Sequence, residues 1–134
     1  MNSSFRVVAV IQARMGSSRL PGKTMMDLAG APVLDRLLCQ LKGAKTLDEV
    51  VVATSTNSDD DVIGQFATER GYRVVRGSEQ DVLSRYVDAA NTAEAEVVVR
   101  LTADCPLHSP DTVDEVVTEF FAAKVDYASN TNPY

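Results

Sequence analysis

The chain has 134 residues, 45% hydrophobic and 24% charged, with a formal net charge of −6. That is enough chain for one domain with a real core, and the composition is globular rather than disordered. The acidic balance argues against duplex nucleic acid or an anionic membrane surface as a partner. With no secretory h-region behind Met1 and no apolar run of about 18 residues, the expectation is a cytoplasmic chain with no membrane contact.

The first element is a β-branched run, Val7-Val8-Ala9-Val10-Ile11, which reads as a buried strand. Behind it, Gln12-Ala13-Arg14-Met15-Gly16-Ser17-Ser18-Arg19-Leu20-Pro21-Gly22-Lys23 abandons periodicity. Such a stretch offers backbone N–H groups, hydroxyls and positive charge to a polyanion, and phosphate is the natural candidate. The aperiodic stretch runs for about twenty residues, to Pro32, and long loops inside compact domains are usually functional or disordered. Arg14, Arg19 and Lys23 favour function, because like charges on one loop repel unless an anion neutralises them. The P-loop pattern fails by one residue: Gly22-Lys23-Thr24 supplies its end, but Ser17 stands where the first glycine belongs. Pro21 also lacks the N–H such a loop aims at phosphate. A P-loop phosphotransferase is therefore an outside alternative.

Val33, Leu34, Leu37, Leu38 and Leu41 share one face of a helix that Gly43 can end. Val50 to Thr54 reads as a second strand. A polar stretch follows, with Ser58 or Asp59 available as N-cap, and leads to a helix over Val62, Ile63, Phe66 and Ala67, closed by Gly71. Asp59-Asp60-Asp61 invites a metal reading, but acids in a first helical turn complement the macrodipole, and that reading is preferred. Arg73 to Val75 is a short third strand. A third helix is expected to put Val82, Leu83, Tyr86, Val87 and Ala90 on one face, with Tyr86 in the core. Val97 to Leu101 is the fourth strand. Ser109 caps a fourth helix, with Pro110 at its first position and Val113, Val116, Val117, Phe120 and Phe121 on its apolar side. Asp126 to Ser129 could begin a fifth strand. Of the two cysteines, Cys39 is expected in the core among leucines, while Cys105 and the single histidine, His108, are read as bystanders.

Apolar strands alternating with one-faced helices specify an α/β fold, a mostly parallel sheet covered on both sides. Ligands of such sheets bind at the carboxyl ends of the strands. That edge would gather Gln12–Lys23, Thr54–Asp59, Arg76–Asp81 and Thr102–Pro106. If the first and fourth strands are neighbours, Asp104 stands beside the phosphate loop. A carboxylate among cations is explained by a divalent metal bridging it to phosphate; a plain turn or capping role is the alternative.

The stretches IQARMGSSRLPGK, VVATSTNSDDD, VRGSEQDVLSRY, VVRLTADCPLHSPD and DYASNT resemble the spore-coat polysaccharide cytidylyltransferase-like family, related to the acylneuraminate and 3-deoxy-manno-octulosonate cytidylyltransferases. The likeness runs from Val7 to Asn132. It implies a three-layer α/β/α sandwich of nucleotide-diphospho-sugar transferase (Rossmann-like) type. It also implies transfer of CMP from CTP to a sugar, with release of pyrophosphate, in surface polysaccharide synthesis. Arg14 and Lys23 match the family's triphosphate-binding cations, with Arg19 and the Gly16-Ser17-Ser18 backbone as helpers. Gln12 and Ala13 lie where the cytosine edge is read, and Asp104 matches a magnesium-binding aspartate. Asp81 and Arg85 match a motif near the nucleotide, although Arg85 could equally be a structural ion-pair partner. The resemblance leaves room for a homodimer. Family members are considerably longer and carry a second metal-binding acid, much of the sugar site and a dimerisation segment beyond the position of Tyr134. Thr102 replaces an amide of the octulosonate branch and Cys105 an acid. Residues 1–134 then correspond to one nucleotide-binding domain, C-terminally incomplete beside the family; a non-catalytic nucleotide-binding module is the alternative to an enzyme.

Overall fold

The structure, a computed structural model, describes residues 5–16, 19–104 and 108–131. Its strands are β1 (Val7–Gln12), β2 (Asp27–Leu28), β3 (Ala31–Pro32), β4 (Glu49–Ser55), β5 (Arg73–Gly77) and β6 (Val97–Thr102). The helices are α1 (Val33–Leu41), α2 (Asp61–Glu69), α3 (Val82–Thr92) and α4 (Pro110–Ala123), with 3-10 turns at Lys23–Met25 and Ser58–Asp60. Four strands form one sheet in the order β5-β4-β1-β6, every pair parallel. The first and fourth predicted strands are thus neighbours, with Ile11 opposite Leu101 and Gln12 opposite Thr102.

Central strand β1 is apolar on both faces because both are covered. Val7, Ala9 and Ile11 pack with Leu34, Leu37, Leu38 and Leu41 of α1, Ile63 and Ala67 of α2, and Val113 and Val117 of α4. Val8 and Val10 face the other way, with Val51, Ala53, and Tyr86 and Ala89 of α3. This is the expected three-layer α/β/α arrangement. Tyr86 is core, as its position predicts, and its hydroxyl donates to the Leu101 carbonyl at 3.0 Å, satisfying a polar group that burial would otherwise penalise. Among the described residues no helix is long and apolar enough to cross a membrane.

Several local expectations need correction. The buried face of α3 runs through Arg85, Tyr86 and Ala89, while Leu83 is 73% exposed and Val87 is 49% exposed. A hydrophobic pattern cannot anticipate an arginine turned inward, and here backbone carbonyls hold it there. Cys39 is exposed, because Leu37, Leu38 and Leu41 already take the inner side of α1. The cap before the Ser58–Asp60 turn is Asn57, whose side chain accepts from the Asp59 N–H. Residues 126–131 form no strand; Asp126 to Asn130 instead line an apolar groove of about 470 Å³ against β6 and α4. Within the aperiodic stretch, β2 and β3 make a small antiparallel hairpin. Its turn has positive φ at Ala29 (54°) and Gly30 (99°), and alanine in the first of these positions hides the usual hairpin signal.

Candidate functional site

The site is built where β1 ends. Parallel pairing continues past Gln12: the Ala13 N–H donates to the Ala53 carbonyl at 3.0 Å and the Ala103 N–H to the Gln12 carbonyl at 2.9 Å. The chain leaving β1 is therefore held between β4 and β6. It then turns through a loop closed on itself, with the Gly22 N–H donating to the Met15 carbonyl at 2.7 Å. Gly22 sits at φ +76°, a left-handed conformation that glycine adopts without steric cost. The Thr24 hydroxyl donates to the Arg14 carbonyl at 3.2 Å, and the Arg14 Nε donates to the Gly16 carbonyl at 3.0 Å.

Between this loop and the end of β6 lies a cleft of about 420 Å³. Gln12, Arg14, Gly16, Arg19 and Lys23 line it from the loop side. Thr102, Ala103 and Asp104 line it from β6. The three cations make no ion pair among the described residues, so a chain of net charge −6 concentrates unpaired positive charge at one spot. The groove beside α4 is larger but apolar, with no such convergence of charge.

The cytidylyltransferase family model matches residues 8–133. This chain belongs to that family. The spore coat polysaccharide biosynthesis protein SpsF of Bacillus subtilis is 37% identical over 125 residues, covering 90% of this chain and 52% of the relative. A cytidylyltransferase structure from Leptospira borgpetersenii superposes with a TM-score of 0.84 at 41% identity, covering 88% of this chain and 50% of the other. CMP:2-keto-3-deoxy-manno-octonic acid synthetase complexed with CTP superposes at 0.76 with 26% identity, covering 90% and 49%. The chain thus spans about half the length of the relatives it matches.

Of the residues that the resemblance nominates in this cytidylyltransferase-family chain, Gln12, Arg14, Gly16, Arg19, Lys23 and Asp104 come together on the cleft. Ser17, Ser18 and Cys105 lie outside the described residues. Ala13 is 2% exposed with its side chain in the core and its N–H donated to Ala53, and it does not line the cleft. Asp81 and Arg85 do not line the cleft. Asp81 caps α3, accepting from the Ser84 N–H at 3.0 Å. Arg85 is 1% exposed and makes no ion pair among the described residues; its Nη1 donates to the carbonyls of Ser78 at 2.9 Å and Glu79 at 3.1 Å. Its Nε and Nη2 have no hydrogen-bond partner among the described residues. It thereby holds the turn after β5.

Three further residues belong to the neighbourhood, which sequence reasoning names without assigning them to the site. Thr24 and Thr102 line the cleft; Thr24 ends the near P-loop pattern and Thr102 stands where the octulosonate branch carries an amide, and those are their signals. The third is Asp60. The acids at 59–61 do not share one role. Asp59 is exposed, and Asp61 pairs with the Arg76 Nη1 at 2.7 Å. Asp60 is 3% exposed and turns toward the loop. The helix-dipole reading is therefore incomplete at Asp60, which is the N-cap residue of α2 and also reaches the loop.

Proposed function

We propose that these residues form the nucleotide-binding part of a cytidylyltransferase that transfers CMP from CTP to a sugar and releases pyrophosphate, in surface polysaccharide synthesis. The observation that carries this reading is the convergence of Arg14, Arg19, Lys23 and Asp104 on one cleft at the carboxyl edge of the parallel sheet. The CTP complex of a 26% identical structural relative supports the choice of nucleotide. In the reaction a sugar oxygen attacks the α-phosphorus, and the bond from that phosphorus to the pyrophosphate oxygen breaks. The leaving group gains charge, so cations placed on the β- and γ-phosphates favour departure, and alignment supplies the rest. Arg14 and Lys23 take that role, with Arg19 and the Gly16 backbone assisting. Gln12 faces the base.

Magnesium is the proposed cofactor. Among the described residues no group of three or more potential ligands occurs, and Asp104 is the one carboxylate on the cleft among them. That donor set fits an ion which takes one carboxylate from protein and its other ligands from phosphate and water. Bound there, it would supply further positive charge to the phosphate oxygens. A cytoplasmic setting and a homodimer are part of the same proposal. A second reading, a CTP-binding module without turnover, is favoured by the single carboxylate and is excluded if the chain releases pyrophosphate from CTP and a sugar. The test of the main reading is calorimetric titration with CTP, ATP and GTP, with and without magnesium. Magnesium-dependent binding that prefers CTP is expected; preference for ATP would revive a phosphotransferase, and no binding would reject the site.

A further inference from the structure

We propose that Asp60 is a positioning residue that sets the shape of the phosphate loop from beneath. The inference rests on the nucleotide-binding reading above only for its effect on CTP; the contact itself stands alone. Asp60 Oδ1 accepts from the Met15 N–H at 2.7 Å, and Asp60 Oδ2 is hydrogen-bonded by the Ser55 hydroxyl. Met15 is the residue at which the loop closes, since its carbonyl accepts from Gly22. One side chain from the turn before α2 thus holds the N–H side of the peptide between Arg14 and Met15, whose carbonyl side is held by the Thr24 hydroxyl, and with it the path of the loop from Arg14 to Gly16 along the cleft.

The support for this carboxylate is itself tied down. Ser55 ends β4, and its hydroxyl also accepts from the Asn57 N–H at 3.1 Å. Arg76 donates to the carbonyls of Ser55 at 2.7 Å and Asn57 at 2.9 Å, and the Asn57 amide donates to Glu79 at 2.9 Å. Asp60 has no ion-pair partner among the described residues, so its burial is supported by hydrogen bonds alone. A carboxylate that served only the helix dipole would need no partner outside its own helix, whereas both Asp60 oxygens are engaged by residues of other elements. Orientation of the loop gives the reason: a backbone N–H that would otherwise be orphaned is fixed by a charge-assisted bond.

Four variants and two readouts test this on the full chain. In Asp60→Ala, CTP affinity in magnesium is expected to fall about tenfold, less than for loss of a direct charge-assisted contact because Asp60 acts through the loop, and the Met15 amide is expected to exchange about tenfold faster or more. Asp60→Asn keeps an oxygen for Met15 and a donor for Ser55, so affinity should stay within about threefold of the parent. Asp59→Ala removes an acid from the same turn and should change neither readout. Should Asp60→Ala fail to fold, Ser55→Ala loosens the carboxylate without removing it, and is expected to weaken CTP binding about threefold with faster Met15 exchange. The inference is overturned if Met15 is unprotected in the parent chain, if the Asp60→Ala or Ser55→Ala chain keeps parental affinity and exchange, or if Asp60→Asn loses as much affinity as Asp60→Ala. The amide measurement needs no nucleotide. Absence of CTP binding with a protected, Asp60-dependent Met15 amide would therefore reject the functional reading and leave the contact standing.

Discussion

Replacing Lys23 by alanine should separate binding from folding. Lys23 lines the cleft, is half-buried, and its ammonium makes no ion pair among the described residues. Its loss removes no internal bond from the described fold and relieves repulsion with Arg14 and Arg19. The melting temperature should move by less than about 2 °C, the scale of a surface substitution. The triphosphate, in contrast, loses a charge-assisted hydrogen bond of about 2 kcal/mol, which is about 30-fold in Kd. Lys23→Arg keeps the charge and should lose only a few-fold. Because part of the attraction is screened, raising salt should weaken CTP binding by the parent more than by Lys23→Ala. Calorimetry of CTP against the three chains at two salt concentrations reads all of this. A Kd for Lys23→Ala within twofold of the parent, with the same salt dependence, would refute the assignment of the loop as the triphosphate site.

Asp104→Asn gives a test with opposite signs. Without magnesium it removes a negative charge from a triphosphate site and should tighten CTP binding; with magnesium it should remove most of the gain the ion gives the parent. Calorimetry with and without the ion checks both, and equal loss in the two conditions would count against a metal role. Leu37 is fully buried in the cluster beneath β1, so Leu37→Ala should cost about 3 kcal/mol and lower the melting temperature by roughly 10 °C. A drop of a degree or two would mean that α1 is not packed as described. Asp114 accepts from the N–H groups of Lys45 and Thr46 and from the Thr46 hydroxyl, tying α4 to the segment before β4. Burial acts to raise its pKa, but the Thr46 side-chain bond, the Lys45 and Thr46 backbone bonds and the Lys45 charge outweigh it and hold it below the ordinary carboxylate value. A lowered folded value means that this stability is present above the unfolded pKa and lost as pH falls through the folded one. Urea unfolding should therefore show Asp114→Asn least stable relative to the parent near neutral pH, with the gap closing in acid; a gap that widens in acid would contradict this.

The sequence made the architecture legible because the sheet is parallel and buried. Runs such as Val7–Ile11 and Val50–Thr54 can be apolar on both faces only between two layers of helices, and the turn to Gly, Ser and cations marks the functional edge. The cleft was legible through Arg14, Arg19 and Lys23, since cations gathered at the end of a buried strand call for an anionic ligand, while Gln12 and Asp104 were assigned their roles there by the family resemblance. What was not legible depends on side chains turned against their type. Arg85 is buried because the carbonyls of Ser78 and Glu79 receive it, which rotates α3 and exposes Leu83 and Val87. Asp60 is buried because Met15 and Ser55 need an acceptor; in a row of three acids nothing local distinguishes the middle one. Cys39 went outward because the leucines beside it are larger.

The most direct measurement of the central claim is the pattern of backbone amide shifts as CTP and magnesium are added to the labelled chain. Changes are expected at Gln12 to Thr24 and at Thr102 to Asp104, with Val113, Val117 and Tyr127 unmoved. Shifts centred on the groove between β6 and α4, with the loop silent, would contradict that claim.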